Sequence, residues 1–393
     1  MSASTSCSAR AQAALAAVRR GERLPEAQVR ALGEECPAEF FRIVIESLAD
    51  SFDPAQAEIY EQLMRAWIPA APRVQPAIPA RVETVYVLSR VTLGSDIKIT
   101  STILDAMKRR FPAASIVLVG GRKSAELFAA DARIEHLEAQ YPRSGPVSRR
   151  IAFAHELRGR LDGAHSIVVD PDSRMTQLGL ISVCEPDRYF HFPSRTLGED
   201  ADNLSDITAA WLKSTFGQTG RAFIAPEPVS AEGIAISLGV GDNDTKRIGG
   251  DFEARLIRLL GERGRTLWID RGAGGEEASR VTAAVEAAGA AERVRYWEGS
   301  FAGFASIISH CDLYVGYDSG GQHAAAAART PLISVFAGAP SERFRNRWTP
   351  GGSGNRIVIP ADHMTPGAVL SSVKNALRGG AVGGTGRWPV RLQ

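Results

Sequence analysis

Apolar residues recur at spacings of three and four through residues 1–70, in "AQAALAAVRR", "PEAQVRALGEE", "PAEFFRIVIESLA" and "AQAEIYEQLMRAW". That period predicts amphipathic helices. Pro37 can open the third of them. Asp53-Pro54 can open the fourth, with Asp53 as N-cap and Pro54 in the first helical position. Four prolines between residues 69 and 79 then interrupt the pattern and predict a linker or a wrapping strap. Beyond it the pattern alternates between strand and helix. "TVYVLSR" (84–90), "SIVLVG" (115–120) and "SIVVD" (166–170) read as strands, with "IKITSTILDAMKRRF" and "SAELFAA" as helical segments between them. "EPDRYFHFPSRTLGEDADN" reads as irregular and "DITAAWLKSTFG" as a helix. Such alternation predicts parallel βαβ units.

A second proline-bearing break, "APEPVSAEG" (225–233), opens a new series. Strands "IAISLGV", "TLWID" and "VRYWEG" alternate with helices "FEARLIRLLGERG", "EEASRVTAAVEAAG" and "AGFASIISH". A strand at 313–317, a helix at 323–329 and a strand at 332–336 follow. The expected organisation is a helical extension with its proline-rich linker (1–75), one α/β unit (82–228), a second (229–378) and a flexible glycine-rich tail (379–393).

The 393 residues allow a sizeable core, and a net charge of +2 argues against a uniformly basic nucleic-acid binder. Local basic clusters stand at 108–110, 149–150 and 343–347. They read as solvated helix ends or as contacts to an anionic acceptor or a membrane surface. The four cysteines (Cys7, Cys36, Cys184, Cys311) have no CxxC spacing and predict neither a zinc site nor a disulfide framework. No apolar run approaches the ~20 residues of a membrane span. The expectation is a cytoplasmic protein, with peripheral contact at the inner face of a membrane.

Open parallel sheets bind ligands beyond the carboxyl ends of their strands, and four polar loops fall there. "SRVTLGSD" ends in Asp96, which suits a helix cap or a general base. "VVDPDSRMTQLGL" offers Asp170, Asp172, Arg174 and Gln177. A D-x-D pair can hold a metal on a diphosphate or make ordinary Asx turns, and no metal is expected. "GVGDNDTKRIGGDF" contains Lys246, a point charge suited to phosphate. "YDSGGQHAAAAART" places Asp318, Ser319, Gly320, Gly321 and His323 between a strand and a helix. Its backbone N–H groups suit an anion, and the alanines suit close packing on a sheet.

Together these loops resemble glycosyltransferase family 9, the ADP-heptose:lipopolysaccharide heptosyltransferases and their relatives. Asp318, Ser319, Gly320, His323, Ala325, Thr330, Pro331 and Phe336 match the family's D-[ST]-G-x-x-H and Thr-Pro pattern in order. Arg90, Leu93, Gly94, Asp96, Lys108, Phe111 and Pro112 match its earlier R-x-x-x-L-G-D and K-x-x-F-P pattern, with Ser95 inserted before Asp96. The resemblance covers roughly residues 82–350. It implies a GT-B fold, two Rossmann-like domains facing a cleft, and an inverting, metal-independent transferase without a cofactor. The implied co-substrate is a nucleotide-diphosphate sugar, with ADP as the expected nucleotide. Asp96 corresponds to the base, and Lys246 to the lysine on the donor phosphates. Glu276 or Glu277 corresponds to the acid on the ribose. Asp318, Ser319 and Gly320 correspond to the diphosphate and sugar loop, with His323 orienting it. Arg90, Asp170, Asp172, Arg174 and Gln177 are left for the acceptor, a glycan, a lipid-linked group or another hydroxyl compound. Ile248 in place of the family's tryptophan and "FAG" in place of F-G-P mark a divergent branch. Two other readings share the fold: a nucleotide-sugar-binding or assembly protein without turnover, and a nucleotide-sugar epimerase.

Overall fold

The computed structural model describes residues 3–378, apart from 71–73, 242, 273 and 353. The glycine-rich tail expected at 379–393 lies outside the described residues. Two parallel sheets carry the fold. The first contains β1 (Thr84–Leu88), β2 (Ser115–Gly120), β3 (Ile134–Glu138), β4 (Ser166–Asp170) and β5 (Tyr189–His191), in the order β3-β2-β1-β4-β5. The second contains β6 (Ile234–Ser237), β7 (Leu267–Asp270), β8 (Val294–Trp297), β9 (Leu313–Tyr317), β10 (Leu332–Phe336) and β11 (Arg356–Pro360), in the order β11-β10-β9-β6-β7-β8. Every residue of β4 and β9 is buried, as strands covered by helices on both faces must be.

Each sheet reverses direction once, between β1 and β4 in the first and between β6 and β9 in the second. These reversals are topological switch points, where crevices open beyond the strand ends. The chemistry therefore has to lie on the loops after β1, β4, β6 and β9. "YFH" within the segment expected to be irregular is instead β5, a three-residue edge strand paired with β4 through Val168–Tyr189. It is too short to show a period of its own. β3 reads "IEHLE" and β11 is half exposed, so neither carries a strong apolar signal.

The extension forms helices Ala3–Arg19, Glu26–Glu35, a run from Pro37 to Ala49 with a π-helical middle, and Pro54–Met64. Asp53 caps the last, its Oδ1 accepting from the N–H groups of Ala55 and Gln56. A disulfide joins Cys7 to Cys36, their Cα atoms 5.4 Å apart, which corrects the expectation that the cysteines form no disulfide framework. The hairpin of the first two helices brings together cysteines 29 residues apart, a pairing that spacing alone does not signal. The extension packs on the first domain. The Arg150 guanidinium lies 3.3 Å from the centre of the Phe41 ring, and Glu34 accepts from Ser148.

The basic clusters turn out to be structural. Lys108 pairs with Asp131 and lies over Phe223, and Arg110 donates to the Phe216 carbonyl. Arg347 is fully buried and donates to the carbonyls of Leu197 and Gly198, across the two domains. No described helix is long and apolar enough to cross a membrane.

Candidate functional site

The two switch points face each other across a cavity of about 810 Å³. On the second domain's side, the loop after β9 turns directly into the helix Gly320–Ala328. A Cβ on Gly321 would sit 2.3 Å from the Tyr314 hydroxyl, so only glycine lets the loop lie this close to the sheet. A Cβ on Gly94 would come within 3.2 Å of His323 and 3.5 Å of the Gly320 Cα. The first loop of one domain and the glycine loop of the other thus nearly touch at the cleft floor.

Lys246 ends the short helix Asp244–Lys246 after β6, and its Nζ lies 2.6 Å from Asp318 Oδ2. Gln322 donates to the other carboxylate oxygen and accepts from Ser334 at 2.5 Å. Burial pushes the Asp318 carboxyl above the usual carboxylate range, against the pull of Lys246. Burial, with Lys98 and Lys246 nearby, holds His323 well below its ordinary value, so its imidazole is neutral. His323 packs 5.7 Å from Trp348, centre to centre. It is buried there with its ring tilted at 57° to the indole. Glu277 stands in the first turn of the helix Gly275–Ala288. Its carboxylate occupies the space a Cβ would need on Gly239 or on Gly272, at the ends of β6 and β7. Glu276 is exposed beside it. Of the two, Glu277 is the one held against the crevice.

The first domain's side differs from expectation. Asp96 is fully buried. Its Oδ1 accepts from the Arg90 N–H (2.7 Å) and Thr100 (2.9 Å), and its Oδ2 from Ser89 (2.7 Å) and Ser124 (2.6 Å). Burial raises its pKa despite these four donors. Asp96 therefore lies enclosed in the first domain and does not line the cavity. One added residue turns a helical position by about 100°. The insertion at Ser95 is followed at once by a π-helical turn, Asp96–Thr100, the usual form of an extra residue in a helix. Ser95 lines the cavity and Asp96 points into the domain, where it pins the end of β1 to the helix.

Asp170 is likewise fully buried, accepting from the Ser173 N–H, Thr176 and Tyr189. Asp172 is 2.6 Å from Arg195 and accepts from Ser194 at 2.8 Å. Burial would raise it, but Arg195 and the neighbouring His191 and Arg90 hold it well below the usual range. The D-x-D pair is therefore taken up by the protein, and neither carboxylate stands free for a substrate. Arg90 is 4% exposed, donates to Pro171 and Ser194, and is pulled down to about 10 by burial. Gln177 is buried and donates to the Arg174 carbonyl. Val91, Asp172, Gln177 and Leu178 all have positive φ, between 53° and 74°. Left-handed backbone at non-glycine residues, one of them β-branched, costs energy and clusters at sites under functional constraint.

What the sequence missed is the third wall. Glu46, Asp50, Phe52 and Asp53 of the extension line the same cavity. Arg174 binds Asp50 at 2.7 Å and Glu46 at 3.6 Å, and Arg195 reaches Asp50 at 3.4 Å. Phe52, with φ 57°, is buried among Trp348 (5.6 Å), Phe344 (6.2 Å) and the Arg195 guanidinium (5.5 Å), and its carbonyl accepts from Arg343. One side chain of the extension thus contacts both domains. Its only trace in the sequence is an ordinary "ADSFDP".

Residues 241–363 match the model of glycosyltransferase family 9 (heptosyltransferase). A search of curated protein sequences finds no match. Among solved structures, the Escherichia coli heptosyltransferase WaaC with ADP-2-deoxy-2-fluoro heptose is similar at 19% identity and TM-score 0.57, over 76% of this chain and all of that one. A family 9 glycosyl transferase from Veillonella parvula is similar at 16% identity and TM-score 0.57, over 75% and 90%. E. coli ADP-heptose lps heptosyltransferase II is similar at 18% and 0.52, over 75% and 99%. The two facing parallel sheets are those of a GT-B fold.

Proposed function

We propose, from the match of residues 241–363 to the glycosyltransferase family 9 model and from the GT-B fold, that the chain transfers a sugar from a nucleotide-diphosphate donor, ADP-linked, to a hydroxyl acceptor, with inversion and without a metal. The observation that carries this reading is the Lys246–Asp318 pair at the second switch point. A buried ion pair beside an open cleft is a cation held ready, because an incoming diphosphate can take over the lysine. Asp318, whose carboxyl burial already pushes up, keeps Gln322 as its donor when Lys246 moves.

The diphosphate then meets Lys246 and the N–H groups opening the helix Gly320–Ala328, where the helix dipole also favours negative charge. Glu277 receives the ribose hydroxyls. The acceptor oxygen attacks the anomeric carbon from the side opposite the diphosphate, and the bond to phosphate oxygen breaks with its electron pair going to the diphosphate. Lys246 and the N–H groups stabilise that growing charge, which supplies part of the transition-state binding. The acceptor hydroxyl loses its proton to a carboxylate on the open cleft. With Asp96 enclosed, half-exposed carboxylates on that side include Glu46 and Asp50.

The enclosure of Asp96 also favours a second reading, a nucleotide-sugar-binding protein without turnover. One assay separates the two: ADP release from an ADP-sugar, followed with and without mixed glycan and polyol acceptors. Acceptor-dependent release, lost in Lys246→Ala, supports transfer. Donor binding without release under any acceptor supports the second reading. Product formed from donor alone would instead support an epimerase.

A further inference from the structure

The heptosyltransferase-like fold is complete in about three quarters of this chain, since all of the WaaC chain is covered by 76% of it. The motif resemblance begins at residue 82. The extension before it nevertheless builds one wall of the cleft, and it does so with carboxylates placed over arginines. Arg90, Arg174 and Arg195 of the first domain would otherwise face the acceptor as a cluster of guanidiniums, a site suited to phosphate or carboxylate.

In this molecule those cations are consumed. The side chains of Arg90, Arg174 and Arg195 are only 3%, 17% and 7% exposed. The carboxylates over Arg174 and Arg195, Asp50 and Glu46, are 45% and 48% exposed. Asp172 engages Arg195 and Arg90 from beneath. Asp53 adds a further carboxylate to the lining and Arg19 one cation. What meets an entering molecule on this wall is therefore mostly carboxylate. The turn that presents it is fixed at both ends, by Arg174 and Arg195 of the first domain and by Arg343, Phe344 and Trp348 of the second.

We propose that Glu46 and Asp50 are the acceptor-specificity residues of this transferase, selecting a polyhydroxylated acceptor without negative charge, neutral or amine-bearing, and rejecting phosphorylated and acidic sugars. The inference rests on the transferase reading. Physically it follows from solvent-facing charge: an anionic acceptor must desolvate against Asp50 and Glu46 before it can reach Arg174 or Arg195. An ammonium or hydroxyl group meets acceptor oxygens already in place.

The test is a binding measurement on the full chain with saturating ADP, which fills the donor side. The probe is a hexose phosphate, titrated into the wild type, Glu46→Gln, and the double variant Glu46→Gln/Asp50→Asn. The wild type is expected to bind it weakly. The double variant, with Arg174 released from both carboxylates and Arg195 still held by Asp172, is expected to bind at least about tenfold tighter, the factor that one modest charge-assisted contact supplies. Glu46→Gln lies on an exposed residue and keeps the test meaningful should the double variant fold poorly; it is expected to move in the same direction. Wild-type binding of the hexose phosphate as tight as in both variants would overturn the proposal. Acceptor screening gives a second arm: ADP release stimulated by neutral or amine-bearing polyols supports it, and stimulation only by sugar phosphates or sugar acids overturns it. Failure of ADP itself to bind would count against the donor site, not against this wall.

Discussion

Phe52 is the residue whose removal tests the architecture most sharply. It is 1% exposed and packs on Phe344, Trp348 and Arg195. Truncating a buried phenylalanine costs about 3–5 kcal/mol through lost transfer energy and the cavity left behind. The two aromatic contacts fall in the range where such pairs add about 0.5–1.5 kcal/mol. Phe52→Ala is therefore expected to cost about 4 kcal/mol in urea unfolding. Trp348 fluorescence is a suitable probe because its ring lies 5.6 Å from Phe52. The backbone adds a diagnostic. Phe52 has φ 57°, where an L side chain is strained by about 1–2 kcal/mol. In most places Gly is less stable than Ala by about 0.5–1 kcal/mol. Here the order should reverse, with Phe52→Gly at least as stable as Phe52→Ala. A loss below about 1 kcal/mol for Phe52→Ala, or the usual Ala-over-Gly order, would refute the packing of Phe52 between the two domains.

Two further outcomes follow from buried polar groups. Asp96→Asn replaces a charged acceptor of four hydrogen bonds. It should lower stability by about 2 kcal/mol in chemical denaturation while leaving ADP affinity unchanged; full stability with transfer abolished would return Asp96 to the role of base. Lys98 is 2% exposed between the domains, donating to Asn203 (2.8 Å) and the Thr349 carbonyl (2.7 Å), and burial pulls it from 10.5 down to about 7. The unfolded chain thus holds more protons between those values, so stability should rise with pH from about 7 towards 10. Lys98→Met should flatten that rise in unfolding measured across pH, and an unchanged slope would refute the assignment.

Much of the fold was legible because β1, β2, β4, β9 and β10 are continuous apolar runs between helical periods. β5 and β11 were not, being short or half exposed at sheet edges. The second domain's side of the cleft was legible because its loop needs glycine at Gly321 and a lysine opposite Asp318, and both leave residue-type signatures. The first domain's side was not. Asp96 satisfied the motif in type, but it sits fully buried at the start of a π-helical turn, which residue type does not reveal. Asp50 and Phe52 act through contacts with residues 145 and nearly 300 positions away, with no local pattern. Cys7 and Cys36 were hidden for the same reason: a helical hairpin, not their spacing, brings them together.

The central claim is that the crevice at the β6–β9 switch point holds a nucleoside diphosphate through Lys246. Calorimetric titration of ADP into the full chain tests it. The account predicts saturable binding at one site, and at least about a tenfold loss in Lys246→Ala, the equivalent of one charge-assisted contact. No binding of ADP or any other nucleoside diphosphate at millimolar concentration, or equal binding by Lys246→Ala, would contradict it.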